Sequence, residues 1–245
     1  MSHYDTYGRM AQSTEVSSVT QNGRYKAQQD AELHVPDDVI RKLQPTSQDH
    51  FLDVGCGLGL NLRPVSQMVE TATGCDHPNV IAKLKQASPD IQADLVGGNF
   101  LELDFAQKYT KILAYSVVPA LPDMDTVYAF IDKTLSILDP AGRVLLGDLA
   151  NVDKKKRFLD STRGQVFQKK WEELSSGQQQ DDDISVFQTE QDRAAVVMND
   201  AVIFDLVGHI RKQGFHAYIV DQPQNLPFGN TREDIVIIGP EYEDQ

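Results

Sequence analysis

The chain has 245 residues, room for one α/β domain with an elaboration, and its 40% hydrophobic and 24% charged residues are those of an ordinary soluble protein. Against 23 basic side chains stand 36 acidic ones, a formal net charge of −13 that repels a phosphate backbone and disfavours nucleic acid as a substrate. No apolar run reaches the roughly 18 residues of a membrane helix, and MSHYDTYGRM lacks the apolar core of a signal peptide.

The two cysteines, Cys56 and Cys75, form no metal-binding spacing, and thiols this sparse suit a reducing compartment, so the expected location is cytoplasmic. Residues 1–23 are polar and rich in Ser, Thr and Gln; they are expected to be mobile or to order only on a ligand. Pro36, Asp37 and Asp38 mark a helix start, Val39, Ile40 and Leu43 supply its apolar stripe, and Pro45 ends it.

From there strands and helices alternate. Strands are expected at 51–54, 71–76, 95–100, 111–117 and 142–149, with helices at 60–69, 80–87 and 124–138 between them. Such alternation implies a parallel sheet with helices on both faces. Residues 151–198 then turn strongly polar, and a helix at 201–212 and strands at 216–220 and 234–238 close the chain. The expected organisation is one domain, 1–245. It has an N-terminal lid segment (1–35), a core (36–150), a lid insertion over the carboxyl edge of the sheet (151–198) and a closing unit (199–245).

The most informative stretch is Asp53-Val-Gly55-Cys-Gly57-Leu-Gly59, which follows a strand and opens a helix. Glycines there let a nucleoside approach the backbone where a Cβ would collide. The glycines fall at 55, 57 and 59, whereas the dinucleotide fingerprint wants the third at 60, which is Leu60. An acid also precedes the first glycine by two residues. It would repel a pyrophosphate but attract a cofactor bearing an ammonium and a sulfonium. Asp76, 23 positions after Asp53 and at the end of the second strand, can accept two ribose hydroxyls. Gly98-Asn99-Phe100 comes at the end of the third strand, where an adenine edge would lie.

Residues 51–60, Gly74-Cys-Asp76, Gly98-Asn-Phe100, residues 112–118 and Leu138-Asp-Pro-Ala-Gly-Arg-Val-Leu-Leu-Gly-Asp148 resemble, in order, the successive motifs of class I (Rossmann-like) S-adenosylmethionine-dependent methyltransferases. The resemblance implies a seven-stranded mixed sheet whose last strand inserts antiparallel, and S-adenosyl-L-methionine as cofactor. It further implies that Asp53 and the turn Gly55, Cys56, Gly57 and Gly59 hold the methionine portion, and Asp76 the ribose, with His77 beside it. Asn99 would meet the adenine amine, Phe100 would flank the ring, and Tyr115 and Ser116 would line the pocket near the methyl group. Two positions depart from the pattern. The family more often has Asp where this chain has Asn99, whose carbonyl can still accept from an amine. Ala141 replaces a glycine of the turn before the fifth strand. A fainter resemblance, carried by Gly147-Asp-Leu-Ala-Asn151, Lys156-Arg157-Phe158, Leu226-Pro-Phe228 and Arg232-Glu-Asp234, is to methyltransferases of bacterial surface-sugar biosynthesis. It points to a sugar or nucleotide-sugar acceptor.

Methyl transfer to oxygen or nitrogen draws much of its rate from alignment, and it needs a base only where the acceptor holds its proton tightly. Asp148, after the fifth strand, is the candidate base, with orientation of the following loop as its simpler role. His77 caps the next helix or packs near the ribose, and His209 falls inside a helix as a surface or packing residue. Lys154, Lys155, Lys156 and Arg157 form either a solvated charge run or a clamp for a phosphate-bearing acceptor. Phe167 and Trp171 supply the apolar face of a lid helix, and Asp181, Asp182 and Asp183 a solvated turn. No ordered Cys/His/Asp/Glu set suggests a catalytic metal. Two other readings are a nucleotide-dependent oxidoreductase, opposed by the glycine spacing and Asp53, and a non-catalytic binding protein on the same fold, opposed by the intact Asp53, turn and Asp76. The oligomeric state stays open, a homo-oligomer included.

Overall fold

The computed structural model describes residues 3–12, 28–176 and 196–242. The helices, named in chain order, are α1 (His3–Gln12), α2 (Gln29–Glu32), α3 (Val35–Leu43), α4 (Leu62–Ser66), α5 (Pro78–Ala87), α6 (Met124–Ile137), α7 (Val152–Asp160), α8 (Thr162–Ser176) and α9 (Asp200–Lys212). The strands are β1 (His50–Val54), β2 (Thr71–Asp76), β3 (Asp94–Gly97), β4 (Tyr109–Tyr115), β5 (Leu138–Ala150), β6 (His216–Asp221) and β7 (Arg232–Ile238).

The seven strands form one sheet in the order β3-β2-β1-β4-β5-β7-β6. β1 to β5 pair in parallel, and β7 enters antiparallel between β5 and β6. The strand order reverses between β1 and β4, and open α/β sheets bind ligands beyond the carboxyl ends of the strands at such a reversal.

Period-two alternation sends neighbouring residues of each central strand to opposite faces. Leu52, Ile112, Val144 and Leu146 pack with Phe130, Ile131, Ile203 and Leu206 of α6 and α9. Phe51, Leu113, Leu145 and Val236 pack on the other face with Val39, Leu43, Leu62 and Leu84 of α3, α4 and α5. The helices begin where local chemistry starts them. Asp123 Oδ1 caps α6 by accepting from Thr126 N–H at 2.7 Å, and Asn199 Oδ1 caps α9 by accepting from Val202 N–H at 2.9 Å. α3 has Pro36 in its first turn and stops at Gln44, whose φ of 52° is left-handed.

Several boundaries differ from the expectations. The helix after the glycine turn covers only Leu62–Ser66, because the turn itself runs through Gly59 to Asn61. β3 stops at Gly97 rather than reaching Phe100. β4 begins earlier, at Tyr109, and stops at Tyr115, because Ser116 bends the chain with φ 62°. β5 begins at Leu138, which pairs with Tyr109 before a register shift to Lys111 opposite Arg143.

The buried interior holds an unexpected ionic bridge. Lys42 Nζ donates to Asp38 Oδ2 and to Asp234 Oδ2, each at 2.6 Å, and the three side chains are 4%, 2% and 0% exposed. Asp234 Oδ1 also accepts from Asp148 N–H and from Gln222 Nε2, both at 2.8 Å. α3, β5, β7 and the chain after β6 thus meet at one buried carboxylate.

In the 151–198 stretch, α7 and α8 occupy 152–176. The acidic triplet 181–183 lies outside the described residues. Asn151 Oδ1 caps α7, while its Nδ2 donates to Asp200 and Glu233 at 2.7 and 2.8 Å. Lys154 pairs with Asp221 and donates to the Arg232 carbonyl, and Arg157 pairs with Asp200; Lys155 and Lys156 are exposed. Half of the basic run is therefore structural. Trp171 stacks on Phe167 at 6.4 Å between ring centroids, and Phe167 meets Phe158 of α7 edge-on. Among the described residues no helix is long and apolar enough to cross a membrane.

Candidate functional site

A cavity of about 470 Å³ opens beyond the carboxyl ends of β1, β2, β3 and β4. Its floor is the glycine turn. Gly55 has φ +72°, and a Cβ there would stand 2.5 Å from Val117. Gly55 and Cys56 N–H both donate to the Cys75 carbonyl, at 2.8 and 3.2 Å, which staples the turn to β2. Gly59 plays a different part. It does not line the cavity; at φ +82°, its missing Cβ leaves room for Leu84 of α5 at 3.1 Å.

Asp53 is the penultimate residue of β1, at 2% exposure, and Asp76 ends the neighbouring β2. Asp76 Oδ2 accepts from Gly57 N–H at 2.8 Å and Oδ1 from His77 N–H at 2.6 Å. Each oxygen keeps a further lone pair for a ligand hydroxyl. Burial, and then the charge of Asp76, push the Asp53 carboxyl well above its ordinary value; burial also raises Asp76, against the two backbone N–H groups that lower it. A cation entering between them would recover part of that desolvation cost.

Asn61 completes the acceptor set. It lines the cavity at 7% exposure, and its buried Oδ1 has no hydrogen-bond partner. An orphaned carbonyl in the same cavity as the buried Asp53 and the half-buried Asp76 fits a ligand that brings N–H donors and positive charge. The described lining residues carry three carboxylates (Glu32, Asp53 and Asp76) and no Lys, Arg or His. That wall opposes the pyrophosphate of a dinucleotide.

Asn99 and Phe100 line the far end. Asn99 Oδ1 accepts from Leu101 N–H at 3.1 Å, which shapes the loop after β3. Phe100 packs on Phe130 at 4.9 Å between ring centroids, and Lys133 of α6 sits 5.5 Å above it. Lys133 Nζ also donates to the Leu101 carbonyl at 2.9 Å and to the Leu103 carbonyl, so α6 fixes the loop that carries Asn99 and Phe100. Tyr115 and Ser116 form the near wall with Val117, Ala120, Leu121 and Pro122. The buried thiols of Cys56 and Cys75 are raised, chiefly by desolvation, and stay protonated.

Two residues expected at the site stand behind it. His77 does not line the cavity: its Nδ1 caps α5 by accepting from Asn79 N–H at 3.1 Å, and its ring packs on Tyr4 at 4.7 Å. Asp148 is also absent from the wall. It is 2% exposed and accepts from Ser116 Oγ at 2.6 Å, and Arg232 Nε lies 3.6 Å from its other oxygen.

The sequence points to a lid segment at 1–35 but to none of the residues that form the roof. α1 packs on α5 and brings Tyr4 and Tyr7 to the cavity, and α2 adds Glu32. The Tyr4 phenol is pushed up to about 12, by burial first and then by Asp76, so it remains a donor at neutral pH. A weak signal existed in the aromatic spacing of MSHYDTYGRM, where Tyr4 and Tyr7 share one helix face. No described residue of α7 or α8 lines the cavity. Among the described residues no three His, Cys, Asp or Glu side chains gather as a metal site.

Residues 52–146 match the protein family described as "Methyltransferase domain". No curated protein matches the sequence at a significant level. Among solved structures, the N-methyltransferase NodS from Bradyrhizobium japonicum WM9, in complex with S-adenosyl-L-homocysteine, superposes with a TM-score of 0.63 at 15% identity, covering 98% of this chain and 100% of that one. The magnesium protoporphyrin IX methyltransferase ChlM from Synechocystis PCC 6803, with bound S-adenosylhomocysteine, gives 0.56 at 16% identity over 96% and 92% of the two chains. At these identities the likeness is one of fold.

Proposed function

We propose that this chain, which carries a methyltransferase domain on the class I S-adenosylmethionine-dependent methyltransferase fold, transfers a methyl group from S-adenosyl-L-methionine to a small-molecule acceptor. The observation that carries the reading is the pairing of Asp53 and Asp76 at the ends of β1 and β2, around a turn whose Gly57 N–H orients Asp76. Asp76 would hold the ribose hydroxyls. Asp53, Asn61 and the turn would hold the methionine end, and Asn99 and Phe100 the adenine. Once bound, the cofactor supplies an electrophilic methyl carbon. The protein supplies alignment: Tyr4 and Tyr7 close the roof and exclude water, while Tyr115 and Ser116 present the acceptor's side of the cavity.

The carboxylate-lined wall supports a neutral hydroxyl- or amine-bearing acceptor, a plain sugar among them. It argues against the pyrophosphate of a nucleotide-sugar. α1 is the lid in this reading, and α7 and α8 are a flanking elaboration. The test is adenosylhomocysteine release with two matched acceptor sets, neutral sugars and amines against their phosphorylated counterparts. Turnover confined to the neutral set is expected; turnover confined to the phosphorylated set contradicts the acceptor class.

A further inference from the structure

α7 and α8 carry seven of the chain's 23 basic residues and only four of its 36 acidic ones, a basic island on an acidic protein. The hairpin is firmly seated. Lys154 and Arg157 tie α7 to Asp221 and Asp200, and Arg163 at the start of α8 donates to Gln224 and Asn230. A Cβ at Gly164 would stand 1.8 Å from the Phe158 carbonyl oxygen, so the two helices cross in close contact. The other four basic residues, Lys155, Lys156, Lys169 and Lys170, are exposed and pair with no acid among the described residues. Beside them runs an apolar stripe. Val166 and Lys170 are four residues apart, as are Phe167 and Trp171, so the four side chains share one face of α8. Val166 is 52% and Phe167 44% exposed, although Phe167 meets Phe158 edge-on and stacks on Trp171. A contiguous exposed stripe of this kind, rimmed by charge, marks an interaction face.

We propose that the α7–α8 hairpin docks the protein on an anionic lipid surface, lying on the bilayer without crossing it. The two kinds of exposed group match the two layers of such a surface. Lipid phosphates take the ammonium groups of Lys155, Lys156, Lys169 and Lys170, whose long stems let the heads stay in water, while Val166, Phe167 and Trp171 enter the acyl boundary. A nucleic acid would satisfy the ammonium groups but leave the aliphatic part of the stripe in water. Charge also sets the orientation. Outside the hairpin the chain holds twice as many acidic as basic residues, and an anionic surface repels that remainder while attracting the four lysines. The docking face lies at the functional edge of the sheet: β5 runs parallel to β1, β2 and β4, so α7 leaves β5 at the edge where the cavity opens.

The test is sedimentation of the full chain with vesicles of phosphatidylglycerol mixed equally with phosphatidylcholine, and with vesicles of phosphatidylcholine alone. Partition is expected into the anionic vesicles only. It should fall as salt rises from about 0.1 to about 1 M, which shortens the screening length from about 10 to about 3 Å. The combined variant Lys155→Gln/Lys156→Gln/Lys169→Gln/Lys170→Gln should partition at least ~100-fold less, since each exposed lysine contributes roughly a factor of five. These lysines stand at the surface, so the variant should keep the wild-type circular dichroism, Tm and adenosylhomocysteine affinity. Phe167→Ser should cut partition about tenfold and leave its salt dependence in place. Trp171 is the chain's single tryptophan, so its emission reports on the hairpin alone. It should shift to the blue on the anionic vesicles and be quenched by brominated lipid chains. No partition into anionic vesicles, equal partition into both kinds, or partition that survives the lysine variant overturns the docking. Bound protein whose Trp171 emission does not move overturns it too, because another face then holds the lipid. Lysine-dependent dimers formed without lipid would seat a second copy on this face, and lysine-dependent binding of RNA but not of vesicles would seat a nucleic acid there; either result also overturns it.

Discussion

Replacing Lys42 by Met tests the ionic bridge behind the site. Methionine matches much of the lysine stem in volume, so the substitution removes a charge with little change in packing. Asp234, fully buried, loses its cation and keeps only Asp148 N–H and Gln222 Nε2 as donors. Asp38 keeps Arg41. Breaking a buried ion pair by removing one partner costs about 3–5 kcal/mol. In a chain of this size each kcal/mol moves Tm by about 2–4 °C, so a fall of roughly 6–20 °C is expected. Urea unfolding followed by circular dichroism measures the same loss at 25 °C. The Lys42→Met/Asp234→Asn double variant should recover part of it, because the orphaned charge is gone. A loss below about 1 kcal/mol in Lys42→Met, or a double variant less stable than the sum of the singles, would refute the argument that the bridge compensates a buried carboxylate.

Gly8→Ala tests the roof: a Cβ at Gly8 would fall 2.4–2.6 Å from the His77 ring, so α1 must lift. Amide exchange across 3–12 should then quicken, with weaker adenosylhomocysteine binding; unchanged protection would contradict the packing of α1 on α5. Asp76→Ala should weaken adenosylhomocysteine binding at least ~100-fold, since each lost charge-assisted hydrogen bond is worth about 1.5–3 kcal/mol. Unchanged affinity in calorimetry would contradict the ribose assignment. The raised Asp53, Asp76 and Asp234 carboxyls bind protons more readily folded than unfolded, so their contribution to stability is greatest at acid pH and declines as pH rises from the ordinary value of 3.8. A cationic ligand opposes that trend, and S-adenosylmethionine should stabilise more as pH rises through that range. Thermal unfolding with and without the ligand checks this, and a ligand effect that shrinks with rising pH would contradict it.

The parts of the fold legible in the sequence were those with local signals. The strand-turn-helix around residues 53–59 and the helix start at Pro36 announce themselves within a dozen residues, whereas the antiparallel last strand is implied only by the family resemblance. The unread parts depend on distance. Lys42 and Asp234 are 192 positions apart, and a lysine in the last turn of α3 looks like an ordinary helix-terminal cation. Ser116 and Asp148 carry left-handed backbones that composition does not mark, since glycine rather than serine signals such a turn. The polar N-terminus looked mobile because its helix gains stability from distant contacts, with Tyr4 and Gly8 laid against His77 and Asn79 donating to the Gly8 carbonyl. The polar insertion looked like a lid, yet its described helices are tied by Asn151, Lys154 and Arg157 to Glu233, Asp221 and Asp200 and add nothing to the cavity wall.

The central claim is that the cavity between Asp53 and Asp76 takes an S-adenosyl ligand and not a dinucleotide. Isothermal titration of the full chain with adenosylhomocysteine, and separately with NADH, tests it most directly. The account predicts micromolar adenosylhomocysteine binding, roughly −8 kcal/mol, and no heat with NADH. A folded protein that is silent with adenosylhomocysteine at millimolar concentration, and that binds NADH, would contradict it.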